Sequence, residues 1–177
     1  KESNLQKNEK EKLIKKLIKS EKTFAQELQE KQKQAKKLEE AIKKIIEEEI
    51  RKNREKSKTG YKLTPEAKKL SETFQENKGK LPWPLEQGVI IQGYGKQKNK
   101  LFSEVETFNN GIDFATEKNS NVRAVFNGIV VRIFFIKGTG QAVLIKHGKY
   151  FSVYSGMKEV FVNTGEKELS KEKIGTI

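Results

Sequence analysis

The sequence predicts an α+β chain of several domains: a long coiled-coil helix, a short linker helix and a small antiparallel β domain, in that order. Three observations predict it. Residues 1–80 hold only three of the fifteen aromatic residues (Phe24, Tyr61 and Phe74) and two of the thirteen glycines, and residues 81–177 hold the others. No Gly or Pro interrupts residues 1–58, where apolar residues recur at heptad spacing. Beyond residue 80 the pattern changes to short β-branched and aromatic runs punctuated by glycine. The divisions implied are 1–58, 59–80 and 81–177.

In the first segment, a and d positions counted from Ile14 fall on Ile14, Leu17, Glu21, Phe24, Leu28, Lys31, Ala35, Leu38, Ile42 and Ile45, eight of them apolar. The remaining positions are mostly Lys, Glu and Gln, good helix formers. Ile18, Ala25 and Ile46 at e positions broaden the seam, which suits packing against a partner helix of the same or another chain. A helix of this length cannot bury such a stripe alone, so a partner is implied. Residues 1–58 carry 19 Lys and Arg against 12 Glu, and the chain as a whole has 37 basic and 24 acidic residues, a net charge of +13. Interspersed acids and the lack of aromatic interleaving read as a solvated helix face, with no nucleic-acid partner expected.

The second segment opens with a break in periodicity at Lys56-Ser57-Lys58-Thr59-Gly60. Thr64-Pro65-Glu66 then offers an N-cap residue followed by proline at the first helical position. Ala67, Leu70 and Phe74 repeat at i, i+3 and i+7, and Gly79 marks the end as a C′ glycine. The result is a short amphipathic helix, read either as a docked connector or as a movable regulatory arm.

The third segment has strand candidates at Val89–Ile91, Ile112–Ala115, Asn121–Phe126, Ile129–Ile136, Ala142–Lys146 and Phe151–Tyr154. Asn127-Gly128 between two of them is a two-residue hairpin signal. Meandering strands without helical crossovers mean an antiparallel sheet. The chain has no Cys, which excludes a disulfide scaffold and Cys-ligated zinc or iron–sulfur sites. No run of 18 apolar residues marks a membrane-spanning helix, and the Lys-rich start lacks the h-region of a signal peptide, so any export signal would precede Lys1.

Several separate blocks agree with one family. Leu81-Pro82-Trp83-Pro84, Gly93-Tyr94-Gly95, Asn110-Gly111-Ile112-Asp113-Phe114-Ala115, Val122 to Val130, Val143-Leu144-Ile145-Lys146-His147-Gly148 and Tyr154 together resemble the lysostaphin-type (LytM) zinc peptidase domain. Preceded by a coiled coil, the architecture resembles the EnvC-like murein hydrolase activators. The resemblance implies a protein of the periplasm or cell envelope working on or near peptidoglycan. In active members a His-x-x-x-Asp motif supplies two zinc ligands, a later His-x-His supplies the third with a catalytic His, and a further catalytic His stands two residues after a Tyr. Here the first motif reads Asn109-Asn110-Gly111-Ile112-Asp113, and Gly156 stands two residues beyond Tyr154. Asp113 is the one family ligand retained, and the His-x-His would follow Ile177. The expectation is a pseudo-peptidase with its zinc site lost and no catalytic residue. His147, the single His, lies at a strand end before a turn and reads as structural.

By this resemblance the emptied cleft serves as a groove for a helix of a periplasmic N-acetylmuramoyl-L-alanine amidase. The coil docks on an FtsX-like membrane complex, and an arm such as residues 64–78 blocks the groove until signalled. Groove contacts are expected from Tyr94, Asn109, Asp113, Tyr154 and Met157. Two alternatives stay open: an active zinc endopeptidase, and a wall-binding structural adaptor.

Overall fold

A computed structural model describes residues 2–56, 64–98, 106–136 and 138–177. Helix α1 runs without interruption over Glu2–Lys56 and α2 over Pro65–Glu76. The break expected at Lys56 to Gly60 lies, from residue 57 on, outside the described residues. The chain divides into two compact units, Lys1–Lys44 and Ile45–Ile177, so the last three turns of α1 belong with the β domain. Ile45, Ile46, Glu49 and Ile50 are half-buried there. Among the described residues no helix is long and apolar enough to cross a membrane.

Among the described residues eleven strands follow: β1 (Val89–Gln92), β2 (Gly95–Lys98), β3 (Glu106–Asn109), β4 (Asp113–Ala115), β5 (Asn121–Arg123), β6 (Gly128–Ile136), β7 (Gly140–His147), β8 (Tyr150–Met157), β9 (Glu159–Val160), β10 (Lys167–Glu168) and β11 (Lys173–Thr176). They form a four-stranded sheet in the order β10-β6-β7-β8, a three-stranded sheet β5-β11-β9, and two ribbons, β1-β4 and β2-β3. All pairings are antiparallel, in line with the fold class read from the sequence. The core collects Val122 of β5, Val130 of β6, Val143 and Ile145 of β7, Tyr154 and Met157 of β8 and Ile174 of β11, with Leu85, Ala124 and Val162. Strand β7 reads as an unbroken apolar run, Ala142-Val143-Leu144-Ile145, because all four are fully buried. Val143 and Ile145 face the core, and α2 packs on the strand as well.

The Asn127-Gly128 hairpin does not form. Strand β5 ends at Arg123 and pairs with β11, while β6 pairs with β7 and β10. The physical reason lies in what the two residues touch. The Asn127 carbonyl accepts a 2.6 Å hydrogen bond from His147 Nδ1, and its Oδ1 accepts one of 2.7 Å from the Ser170 amide. Gly128 is needed for close approach: a Cβ there would stand 2.5 Å from Ile145 Cγ2 and 2.7 Å from both His147 Nδ1 and the Lys146 carbonyl. Glycine thus lets β6 lie against β7 at that point.

His147 is fully buried between these elements. A carbonyl can only accept, so Nδ1 carries the proton and Nε2 accepts from Ser152 Oγ at 2.8 Å. Ser152 Oγ then accepts from the Tyr154 hydroxyl at 3.1 Å, and that hydroxyl accepts from the Val125 amide at 2.9 Å. Every group in the chain is satisfied only with a neutral imidazole, and burial pushes the His147 pKa down, the Asn127 hydrogen bond opposing it.

Helix α2 begins as expected, Thr64 Oγ1 accepting from the Ala67 amide at 3.2 Å, but it ends at Glu76 with Asn77 as C-cap. Gly79 takes its positive φ of 76° in the turn that follows. Phe74 stacks on His147 at 4.8 Å and on Tyr150 at 5.2 Å, and meets Phe126 edge-on at 5.3 Å. Ser71 Oγ accepts from the Lys149 amide at 2.8 Å, and Gln75 Oε1 from the Tyr150 hydroxyl at 2.9 Å. Gly148, at φ +69°, makes the β7–β8 turn and leaves room for Ser71 and the Ala67 carbonyl. Alongside, Lys146 has its pKa lowered by burial, opposed by Glu49 of α1.

Two stability measurements follow from this packing. Burial, then Glu172 and Glu166, push the Glu168 carboxyl from 4.5 up to about 7. The folded carboxyl holds its proton more tightly than the unfolded one, so its contribution is full below pH 4.5 and is lost as pH rises through about 7. Urea midpoints of Glu168→Gln should show a smaller loss between those limits than the parent chain. Tyr154→Phe should cost about 1–3 kcal/mol in urea denaturation, because it strands the Val125 amide and breaks the run to Ser152; an unchanged midpoint would remove the hydrogen-bond chain as an anchor.

Candidate functional site

The ribbons β1-β4 and β2-β3 build one corner of the β domain. Gln92 of β1 pairs with Asp113 of β4, and Gly95 of β2 pairs with Asn109 of β3. Tyr94 lies between Gln92 and Gly95, so register alone brings Tyr94, Asn109 and Asp113 together, as three of the five expected contacts. Tyr94 is 69% exposed and meets Phe108 edge-to-face at 5.7 Å. Ile90, Phe108 and Ile112 are exposed nearby. Sequence reasoning left Phe108 out, although it directly precedes Asn109 on β3 and alternation puts it on the opposite face of the strand from Asn109.

Tyr154 and Met157 are elsewhere. They are 7% and 1% exposed, inside the core, so the expectation that they line a groove is corrected. The cause is a bulge in β8. Gln141 pairs with Met157 and Val143 with Tyr154, which leaves one extra residue on β8 between them. The bulge turns residues three apart onto the same face, and that face is the core. Gly156 sits in it at φ +81°, a left-handed conformation that side chains with a Cβ rarely adopt. Space is open around it, the nearest atom to an added Cβ being the Thr139 carbonyl oxygen at 4.0 Å. The backbone angle is therefore what selects glycine at this position.

Asn109 is also engaged. Its Oδ1 accepts a 3.1 Å hydrogen bond from the Gly111 amide, closing the turn that carries the chain from β3 to Asp113. Its Nδ2 is buried with no hydrogen-bond partner. An amide nitrogen with two hydrogens has no lone pair to offer a cation, and the amide oxygen is already committed. Among the described residues no group of three or more His, Cys, Asp or Glu side chains converges as a metal site needs. Asn109 and Asp113 thus bring one carboxylate between them, and His147 has both ring nitrogens engaged.

Ala67, Leu70 and Phe74 sit on the docked face of α2 and are half-buried. Their contacts lie at the Tyr150 end of β8, whereas Gly156 lies near the other end, roughly 20 Å along the strand at 3.3 Å per residue. In this structure the contacts of α2 lie on β7 and at the β7–β8 turn.

Comparison with known proteins places these features. The profile of Peptidase family M23 matches residues 107–177, the span from β3 to β11. No curated protein matches the chain. Among solved structures, a zinc-containing peptidase from Vibrio cholerae is 24% identical with a TM-score of 0.48, over 53% of this chain and 30% of that one. A mutant catalytic domain of the prophage-encoded M23 protein EnpA from Enterococcus faecalis is 24% identical with a TM-score of 0.46, over 51% of this chain and 68% of that one. Csd3 from Helicobacter pylori is 20% identical with a TM-score of 0.49, over 55% of this chain and 28% of that one. The chain thus spans under a third of the length of the Vibrio and Helicobacter proteins. The likeness to Peptidase family M23 covers residues 107–177, the part of the β domain from β3 onward.

Proposed function

We propose that this protein is a non-catalytic activator of peptidoglycan hydrolysis in the periplasm or cell envelope. Its M23-like domain works without zinc, and the exposed surface formed by Ile90, Tyr94, Phe108 and Ile112, beside Asn109 and Asp113, holds a helix of an N-acetylmuramoyl-L-alanine amidase. Binding there draws an inhibited amidase toward its active state, by as much as the corner prefers the released helix. Helix α1 is the link to a membrane complex of FtsX type.

The observation that carries this reading is that two of the positions where active members place His have other work here. Asn109 closes a turn with its amide oxygen, and Gly156 holds a left-handed bulge. A helix with apolar residues at i, i+3 and i+4 suits an exposed surface of Ile90, Tyr94, Phe108 and Ile112 better than a hydrophilic wall polymer does.

Dye release from purified peptidoglycan tests it, with this chain alone, with a periplasmic amidase alone, and with both. Release beyond the amidase's own is expected only in the mixture. Tyr94→Ala and Phe108→Ala should each cut the stimulation by about tenfold, because aromatic anchors dominate such contacts, and leave the urea midpoint nearly unchanged. Release by the chain alone, with zinc bound stoichiometrically, would make it an endopeptidase. Binding to wall material with no stimulation of a competent amidase would make it an adaptor.

A further inference from the structure

Two charged residues interrupt the apolar seam of α1, and their placement is symmetric. The helix is continuous through both. On the N-terminal side of them Leu13, Ile14, Leu17 and Ile18 are 53–59% exposed, while Leu28 and Leu38 further along the seam are half-buried. Among the described residues neither Glu21 nor Lys31 takes part in an ion pair.

A second copy of the helix laid antiparallel, with the two-fold axis at Gln26, pairs each a position with a d position of the other chain. Ile14 then meets Leu38, Leu17 meets Ala35, Phe24 meets Leu28, and Glu21 meets Lys31, each layer occurring twice. Both defects of the seam vanish into two opposite-charge layers. A parallel pair in register instead stacks Glu21 on Glu21 and Lys31 on Lys31, like charges facing across a desolvated seam. Sliding the antiparallel pair by one heptad sets Glu21 against Phe24 in one direction and Leu38 in the other. The flanks are less decisive. Leu13 meets Ala41, whereas Glu27 faces its own copy at the solvated edge, where like charges cost little.

We propose that α1 pairs with a second copy of this chain as an antiparallel two-stranded coiled coil centred on Gln26, its register fixed by two Glu21–Lys31 layers. Ile14 to Leu38 spans 25 residues, about three and a half heptads, enough for a coiled coil to hold. The pairing sends the two chains out of the coil in opposite directions.

The test uses the full chain in sedimentation equilibrium, with circular dichroism to confirm that each variant keeps its helix. The parent chain is expected to be a dimer. Glu21→Lys and Lys31→Glu each turn two attractive layers repulsive and should weaken dimerisation by at least about tenfold. The double variant Glu21→Lys with Lys31→Glu restores both layers and should return to the parent affinity. The chain has no cysteine, so orientation can be read by oxidation. Glu21→Cys together with Lys31→Cys should cross-link the two chains, and Glu21→Cys alone should not. A parent chain that stays monomeric at every concentration, a double variant no tighter than the single ones, or a cross-link through Glu21→Cys alone would each overturn the proposal.

Discussion

The β domain turns on one buried imidazole. His147 holds the Asn127 carbonyl with one nitrogen and Ser152 with the other, and through Ser152 it fixes the Tyr154 hydroxyl under the Val125 amide. The segment 125–127, which leads into β6, is thereby tied at two points to the hairpin of β7 and β8. On its outer face the same ring carries Phe74, so the docking of α2 rests on it as well. The requirement is electrical as much as steric. Only the neutral ring satisfies every partner, and the surroundings keep it neutral by withholding water.

This constraint explains which parts of the fold were legible in the sequence. Strands β6, β7 and β8 show themselves as long β-branched and aromatic runs, and α2 announces its start with Thr64-Pro65. Strands β9, β10 and β11 do not, since Glu159–Val160 and Lys167–Glu168 are two residues each and too short to have a period. The Asn127-Gly128 pair shows a true local signal overruled by packing. Its glycine exists for lack of a Cβ against Ile145 and His147, which no local pattern can distinguish from a turn.

The candidate site divides in the same way. Tyr94, Asn109 and Asp113 are brought together by two simple ribbons, and motif order sufficed to find them. Tyr154 and Met157 were misplaced because they were assigned to the groove from their place in or beside the family motifs, and the bulge that turns both inside is visible only in the pairing with β7. Phe108 was missed because an exposed aromatic in a chain of fifteen carries no mark until its neighbour Tyr94 is seen across the ribbon.

The bulge also sets which change of length β8 can absorb. Substitution at Ser155 changes one exposed side chain. Deletion of one residue between Tyr154 and Met157 would leave the two anchors two apart, where plain alternation keeps both on the core face and each still opposite its partner on β7. The left-handed position that Gly156 fills would go with the bulge. The extra residue is therefore a feature of the strand's outer face, and the core does not depend on it.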